Sequence, residues 1–284
     1  MQEARPSRTA MRVAMRRAAH QLFDHPKVLD DPIALPIIGP EAAARLEAER
    51  NRHKTRVARN LRAFLVARSR FAEDELTRAI VRGVRQCVIL GAGLDTFAYR
   101  NPYEDSALRV FEVDYPATQE WKRWRLAAAG IAIPSPVTYA PVDFERQTLA
   151  DGLKLAGFDS SKAAFFSWLG VTMYLTEDAV MATFGFIASI PSGGGVAFDY
   201  AVPRSSLNWI GRLALDALSY RVAAAGEPFR TFFDPSGLAE RLQRIGFRGV
   251  EDLAAGEINA RYFKDRADQL RVTSSLGHLM SAEV

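Results

Sequence analysis

The 284-residue chain holds one cysteine and four histidines, and no apolar run in it approaches the ~20 residues of a membrane span. With Cys87 alone, no internal disulfide can form, and a reducing cytoplasm is the expected home. His20, His25, His53 and His278 are isolated from one another and Cys87 has no partner at ligand spacing, so no metal site is expected. The arginine-rich opening residues lack the apolar centre of a secretion signal, and no export is expected. Internal repeats, low-complexity tracts and obvious linkers are also missing. Arg8, Arg12 and Arg16 recur every four residues as a basic helix face within a net charge of +4, which suits a solvated face or anionic partners. Aromatics do not interleave with them, so no nucleic-acid platform is expected, and without a span-length apolar run no membrane partner is expected.

What is present is the balance of a soluble globular protein, 48% hydrophobic and 25% charged, with length enough for a full core. Residues 1–80 read as a helical cover: small apolar residues and arginines alternate at helical spacing over 10–23, Pro26 and Pro32 end that stretch, and 41–76 is long and helical with a break near 51–53. From Gln86 the rhythm changes. Continuous apolar runs at 87–90, 108–113, 137–142, 162–168 and 196–200 read as buried parallel strands, with a helix over 115–129 opened by Pro116. Residues 205–225 form a second helical stretch, within an insertion at about 203–230 that would overhang the site. Residues 247–253 and 269–284 read as the last strands, the final pair antiparallel. The fold class is α/β: a doubly wound, mostly parallel sheet over residues 81–284 with a helical cover before it.

The most informative stretch is Val88-Ile-Leu-Gly-Ala-Gly-Leu-Asp-Thr96, followed by a strand that ends Val110-Phe-Glu-Val-Asp114. Gly91, Ala92 and Gly93 form a turn that lets the backbone approach a ligand, a helix is expected after it, and Asp114 is placed for ribose hydroxyls. A nicotinamide loop needs a third glycine where Thr96 stands, and Asp95 would oppose a diphosphate. A cofactor with a ribose and no phosphates fits better, and S-adenosylmethionine (SAM) is the common one. Asp95 and Thr96 are expected to cap the helix after the turn.

Together with Phe111-Glu-Val-Asp-Tyr-Pro116 and Phe165-Phe-Ser-Trp-Leu-Gly-Val-Thr-Met-Tyr-Leu175, this stretch resembles the leucine carboxyl methyltransferase family, in its bacterial O-methyltransferase branch. The likeness runs from about Arg8 to Tyr200 and implies a class I, Rossmann-like SAM-dependent methyltransferase. It further implies that Arg68 holds the carboxylate of the cofactor's methionine end, that the glycine turn passes beneath the cofactor and that Asp114 takes the ribose. Asp143 would accept from the adenine amine and Phe144 would cover the ring. Arg70 competes with Arg68 for its role, and Asp143-Phe144 also reads as a cap and a core aromatic. One position departs from the pattern: relatives often carry a glutamate where this chain has Leu169.

Methyl transfer to an oxygen of a small molecule, carboxylate or hydroxyl, is the expected reaction. A carboxylate is already ionised at neutral pH, whereas a hydroxyl is helped by a base. His20, in the cover, is the candidate base or substrate contact, against a packed histidine. Tyr174 and Tyr200 are candidates to orient an acceptor, against packing. Trp209, Phe229, Phe232 and Phe233 suggest an apolar substrate wall or an anchor for the insertion. A nicotinamide-dependent oxidoreductase and a non-catalytic SAM-binding protein are the alternatives.

Overall fold

Valine, isoleucine and phenylalanine crowd the short runs that begin at Gln86, and these runs build one sheet. The computed structural model describes residues 8–103, 107–143, 146–191, 193–224, 226 and 228–284. Its strands are β1 (Gln86–Leu90), β2 (Arg109–Asp114), β3 (Val137–Pro141), β4 (Phe165–Trp168), β5 (Gly195–Ala201), β6 (Arg248–Leu253) and β7 (Gly277–Glu283). They lie in the order β3-β2-β1-β4-β5-β7-β6, parallel through β5, with β7 antiparallel to both of its neighbours. The chain winds outward from β1 to β3 and then crosses back to β4. The switch point therefore falls between β1 and β4, and a ligand crevice belongs beyond the carboxyl ends of these strands.

Helices precede and flank the sheet: α1 (Arg8–Phe23), α2 (Ala34–Ile38), α3 (Pro40–Ala48), α4 (Arg50–His53) and α5 (Arg56–Val81) come before it. Then come α6 (Pro116–Ala128), α7 (Leu149–Leu155), α8 (Glu177–Ala188), α9 (Trp209–Ala223), α10 (Pro235–Arg244) and α11 (Ala255–Tyr262). The break anticipated near 51–53 lies between α4 and α5, where Thr55 caps the new helix by accepting the Ala58 N–H at 3.3 Å. Alternation along the strands sends Val88, Phe111, Phe166 and Phe198 toward α7, α8 and α10. Cys87, Ile89, Val110 and Ala197 face α5 on the other side. In the first layer Phe184 sits 5.2 Å from Trp168 and 4.9 Å from Phe198, ring centre to ring centre. Each such buried ring contributes about 1.5–3 kcal/mol through the area it removes from water.

Two expectations are corrected. No α-helix follows the glycine turn; a 3-10 turn, Phe97–Tyr99, takes its place. Pro102 arrives too soon for a longer helix, and α5 supplies the apolar cover for that face instead, through Ala63, Val66, Phe71 and Leu76. Of residues 269–284, only Gly277–Glu283 is a strand, and Gln269 takes a positive φ of 54°.

Candidate active site

The crevice begins at the glycine turn. Gly91 has φ +66°, and a side chain there would run into Val171, which lies just past β4. The Ala92 N–H reaches across to the Val113 carbonyl at 3.0 Å. The Gly93 N–H donates to Asp114 Oδ2 at 2.6 Å, and the Tyr115 N–H donates to Oδ1 at 2.7 Å. Burial pushes the Asp114 carboxyl above its usual range while these two donors hold it back. An ionised carboxylate has about four acceptor positions, so two bonds leave capacity for hydroxyl donors. At the neighbouring strand end, the Val142 N–H donates to the Asp114 carbonyl at 2.9 Å. Asp143 comes next, part-buried, with Arg146 Nε 3.5 Å from its Oδ2. Phe144 lies outside the described residues.

The other wall is built around an arginine. Arg68 is buried in α5 and its Nη1 donates to Asp199 Oδ2 at 2.9 Å, while Asp199 Oδ1 accepts the Gly170 N–H. Gly170 has φ +72°, and a side chain there would stand within 3 Å of both terminal nitrogens of Arg68. Arg68 Nε is buried with no partner. That leaves a guanidinium pinned by one carboxylate and still short of an acceptor, which is what a second carboxylate supplies. Arg70, by contrast, is half exposed and pairs with Asp74 at 2.8 Å. Asp199 and Gly170 escaped the reading of the sequence. Their signal was a carboxylate inside the apolar strand Gly-Val-Ala-Phe-Asp-Tyr-Ala, where an acid is almost never buried unless paired.

The structure places two candidates elsewhere. His20 is fully buried, its Nδ1 2.9 Å from Asp24 Oδ2, and its Nε2 accepts the Val28 and Leu29 N–H groups at 3.0 and 3.4 Å. With both ring nitrogens engaged, it packs the end of α1 and has no lone pair for a substrate proton. Tyr200 shares a strand face with Phe198, so it turns away from the crevice into the α8 layer, and its hydroxyl donates to Asp252 at 2.7 Å. Tyr174 does stand beyond β4, in the turn Thr172–Tyr174, part-buried with its ring 5.4 Å from Phe229. The return from the insertion is stitched to that turn: Arg230 N–H donates to the Met173 carbonyl at 2.7 Å, and Thr231 Oγ1 to the Leu175 carbonyl at 2.6 Å. Phe229, Phe232 and Phe233 pack on the core, whereas Trp209 is exposed.

The cover meets the glycine turn through charge. Ala10 of α1 lies 3.1 Å from where a Gly93 side chain would begin, and Arg17 donates to the Leu94 carbonyl. Arg17 also stands 3.6 Å from Asp95 and 3.5 Å from Asp31, and Asp31 lies 3.4 Å from Arg100. Thr96, at the place of the missing third glycine, is fully buried and donates to Asp31 at 2.7 Å. Asp95 Oδ1 accepts the Phe97 N–H at 2.8 Å, while Thr96, at the N-cap of the 3-10 turn, makes no side-chain cap bond, so neither caps a helix as expected. Leu169 lines, with Ser69, Glu73, Asp95 and Ser167, a small cavity of ≈ 20 Å³, room for one water. Among the described residues no group of three or more histidine, cysteine, aspartate or glutamate side chains could hold a metal ion, and no described helix is long and apolar enough to cross a membrane.

Strand order and glycine turn define a class I SAM-dependent methyltransferase fold, and comparison with known proteins gives the family. Residues 10–188 match the model of leucine carboxyl methyltransferase, and the chain belongs to that family. It is 31% identical to the protein of Bacillus subtilis (strain 168) provisionally named S-adenosyl-L-methionine-dependent methyltransferase YktD, over 98% of either chain. A provisionally named SAM-dependent methyltransferase of Saccharopolyspora erythraea is 30% identical, over 97% of this chain and 94% of that one. Among solved structures, one described provisionally as a methyltransferase of Thermobifida fusca shares the fold, with a TM-score of 0.58 at 17% identity, covering 99% of this chain and 96% of that one. The cofactor is SAM, and the nicotinamide alternative falls with the family match.

Proposed function

We propose that the chain transfers a methyl group to an oxygen of a small-molecule acceptor, a carboxylate ahead of a hydroxyl. When bound, SAM supplies an electrophilic methyl group on a sulfonium. Arg68, with its unpartnered Nε, would hold the methionine carboxylate, and Asp199 fixes the orientation of the guanidinium. Asp114 would take the ribose hydroxyls over the Gly91–Gly93 turn, and Asp143 the adenine amine. Tyr174 would orient the acceptor oxygen. Alignment of nucleophile, carbon and sulfur then carries much of the rate.

The observation behind the choice of carboxylate is that His20, the candidate base, and His278 are both engaged. His20 is sealed by Asp24 and two backbone donors, and His278 Nδ1 is paired with Asp252 at 2.8 Å on the far strands. An acceptor ionised at neutral pH has no need of either. The test is to incubate the protein with methyl-labelled SAM and paired panels of carboxylic acids and phenols, then treat the products with mild base. Base-labile methyl esters should form from the acids. Base-stable methyl ethers from the phenols, with the acids inert, would overturn the carboxylate preference.

A further inference from the structure

A second cavity, ≈ 340 Å³, opens in the cover between α1, α4 and α5. That volume lies in the range of small-molecule sites. Arg62 forms its buried floor, Arg16 a part-buried wall, and Arg12 and Arg52 an exposed rim, with His53 beside them. Met15 and Ala58 complete the lining with apolar surface. The charges do not cancel. Arg62 is paired with Asp24 at 2.6 and 2.8 Å, and Arg52 with Glu49 at 3.1 Å. Among the described residues, no carboxylate pairs with Arg12 or Arg16; Arg16 donates only to the Arg12 carbonyl, at 3.3 Å. Burial and the like charges of Arg12, Arg62 and Arg221 all act against the charge on Arg16. Burial, with Arg62 and Arg16 nearby, likewise depresses His53, which therefore adds a hydrogen-bonding ring and no charge at neutral pH.

Two guanidinium groups held together without counter-ions cost stability in the empty protein. Such a cost is tolerated where a ligand relieves it. We propose that this cavity binds a doubly negative group, a phosphate monoester or a pair of carboxylates, carried by the methyl acceptor. Two uncompensated cations match two negative charges, and guanidinium forks suit either oxyanion. The position fits an acceptor: α1 lays Ala10 on the glycine turn just before Arg12, and α5 carries Arg68 six residues after Arg62, about 9 Å along the axis. The proposal rests on the methyltransferase reading for the identity of the ligand, whereas the anion site itself can be measured without it.

Titrate the full chain with inorganic phosphate and, separately, with malonate, each against sodium chloride at matched ionic strength, following heat and thermal unfolding. Phosphate, malonate or both should bind and raise Tm above the chloride control, and the tighter of the two names the source of the charge. Arg16→Gln and the rim variant Arg12→Gln should each weaken binding about tenfold, the loss of one charge-assisted hydrogen bond. Arg16→Gln should also raise the Tm of the unliganded protein, whereas a merely structural arginine would lower it. SAM affinity, measured in parallel, should stay within about twofold in both variants. If neither anion binds better than chloride, or if both variants bind as the parent does, the site is not an anion site. Loss of SAM binding in the parent would defeat the methyltransferase reading without touching the anion result.

Discussion

The two sides of this molecule are held by different forces. On the α8 side, Trp168, Phe184, Phe198 and Phe247 interlock with ring centres 4.9–6.1 Å apart. On the cover side, buried ion pairs run through the apolar packing: Arg62 with Asp24, Arg17 with Asp31 and Asp95, Arg100 with Asp31 and Glu73. Apolar packing is non-directional and does not depend on pairing charges. A buried ion pair adds little net stability but penalises every arrangement that leaves a charge alone. The difference teaches that the sheet is built to be stable, and the cover to sit in one place over the glycine turn.

The largest effects should come from breaking either side. Phe184→Ala should cost about 3–5 kcal/mol in urea unfolding through lost packing. Arg62→Ala should cost about 3–5 kcal/mol as well, by leaving Asp24 buried without its guanidinium partner. What separates them is pH. Burial works against the Asp24 charge, yet hydrogen bonds from Arg62 and His20 hold its carboxyl at about 2. The folded state therefore binds this proton later than the unfolded chain, whose aspartates titrate near about 4. The stabilisation from this group is complete above about 4 and disappears as pH falls toward 2. The cost of Arg62→Ala should shrink over that window, and the cost of Phe184→Ala should not; equal acid profiles would erase the contrast between the two sides. The smallest effect belongs to Arg70→Ala, which removes an exposed pair within one helix and should change stability by no more than about 0.5 kcal/mol. It should leave SAM affinity alone, whereas Arg68→Ala should weaken it; the reverse order would move the carboxylate contact to Arg70.

Much of the fold was legible because its signals are local. The apolar runs gave the strands, Pro116 the start of α6, and the Gly91–Gly93 turn with Asp114 the head of the crevice. The helix expected after the turn was overridden by Pro102 and by α5, which brings apolar cover from earlier in the chain. The arginine wall was half legible: the resemblance pointed to Arg68, but its partner Asp199 lies 131 residues away, and no local pattern reveals such a pairing. Tyr200 misled for a different reason. Its place at a strand end suggested the crevice, while strand alternation with Val196 and Phe198 already put it on the opposite face. His20 was a local knot that spacing alone could have shown, since a histidine and an aspartate four residues apart on a helix meet on one face.

The central claim is that the glycine turn and Asp114 form the cofactor seat, and calorimetric titration of the parent chain and Asp114→Ala with SAM, with NAD as control, tests it most directly. The account predicts that the parent binds SAM and ignores NAD, and that Asp114→Ala loses at least about tenfold in SAM affinity, as expected for a charged hydrogen-bonding partner removed. Unchanged SAM affinity in Asp114→Ala, in a variant that still folds, would contradict it.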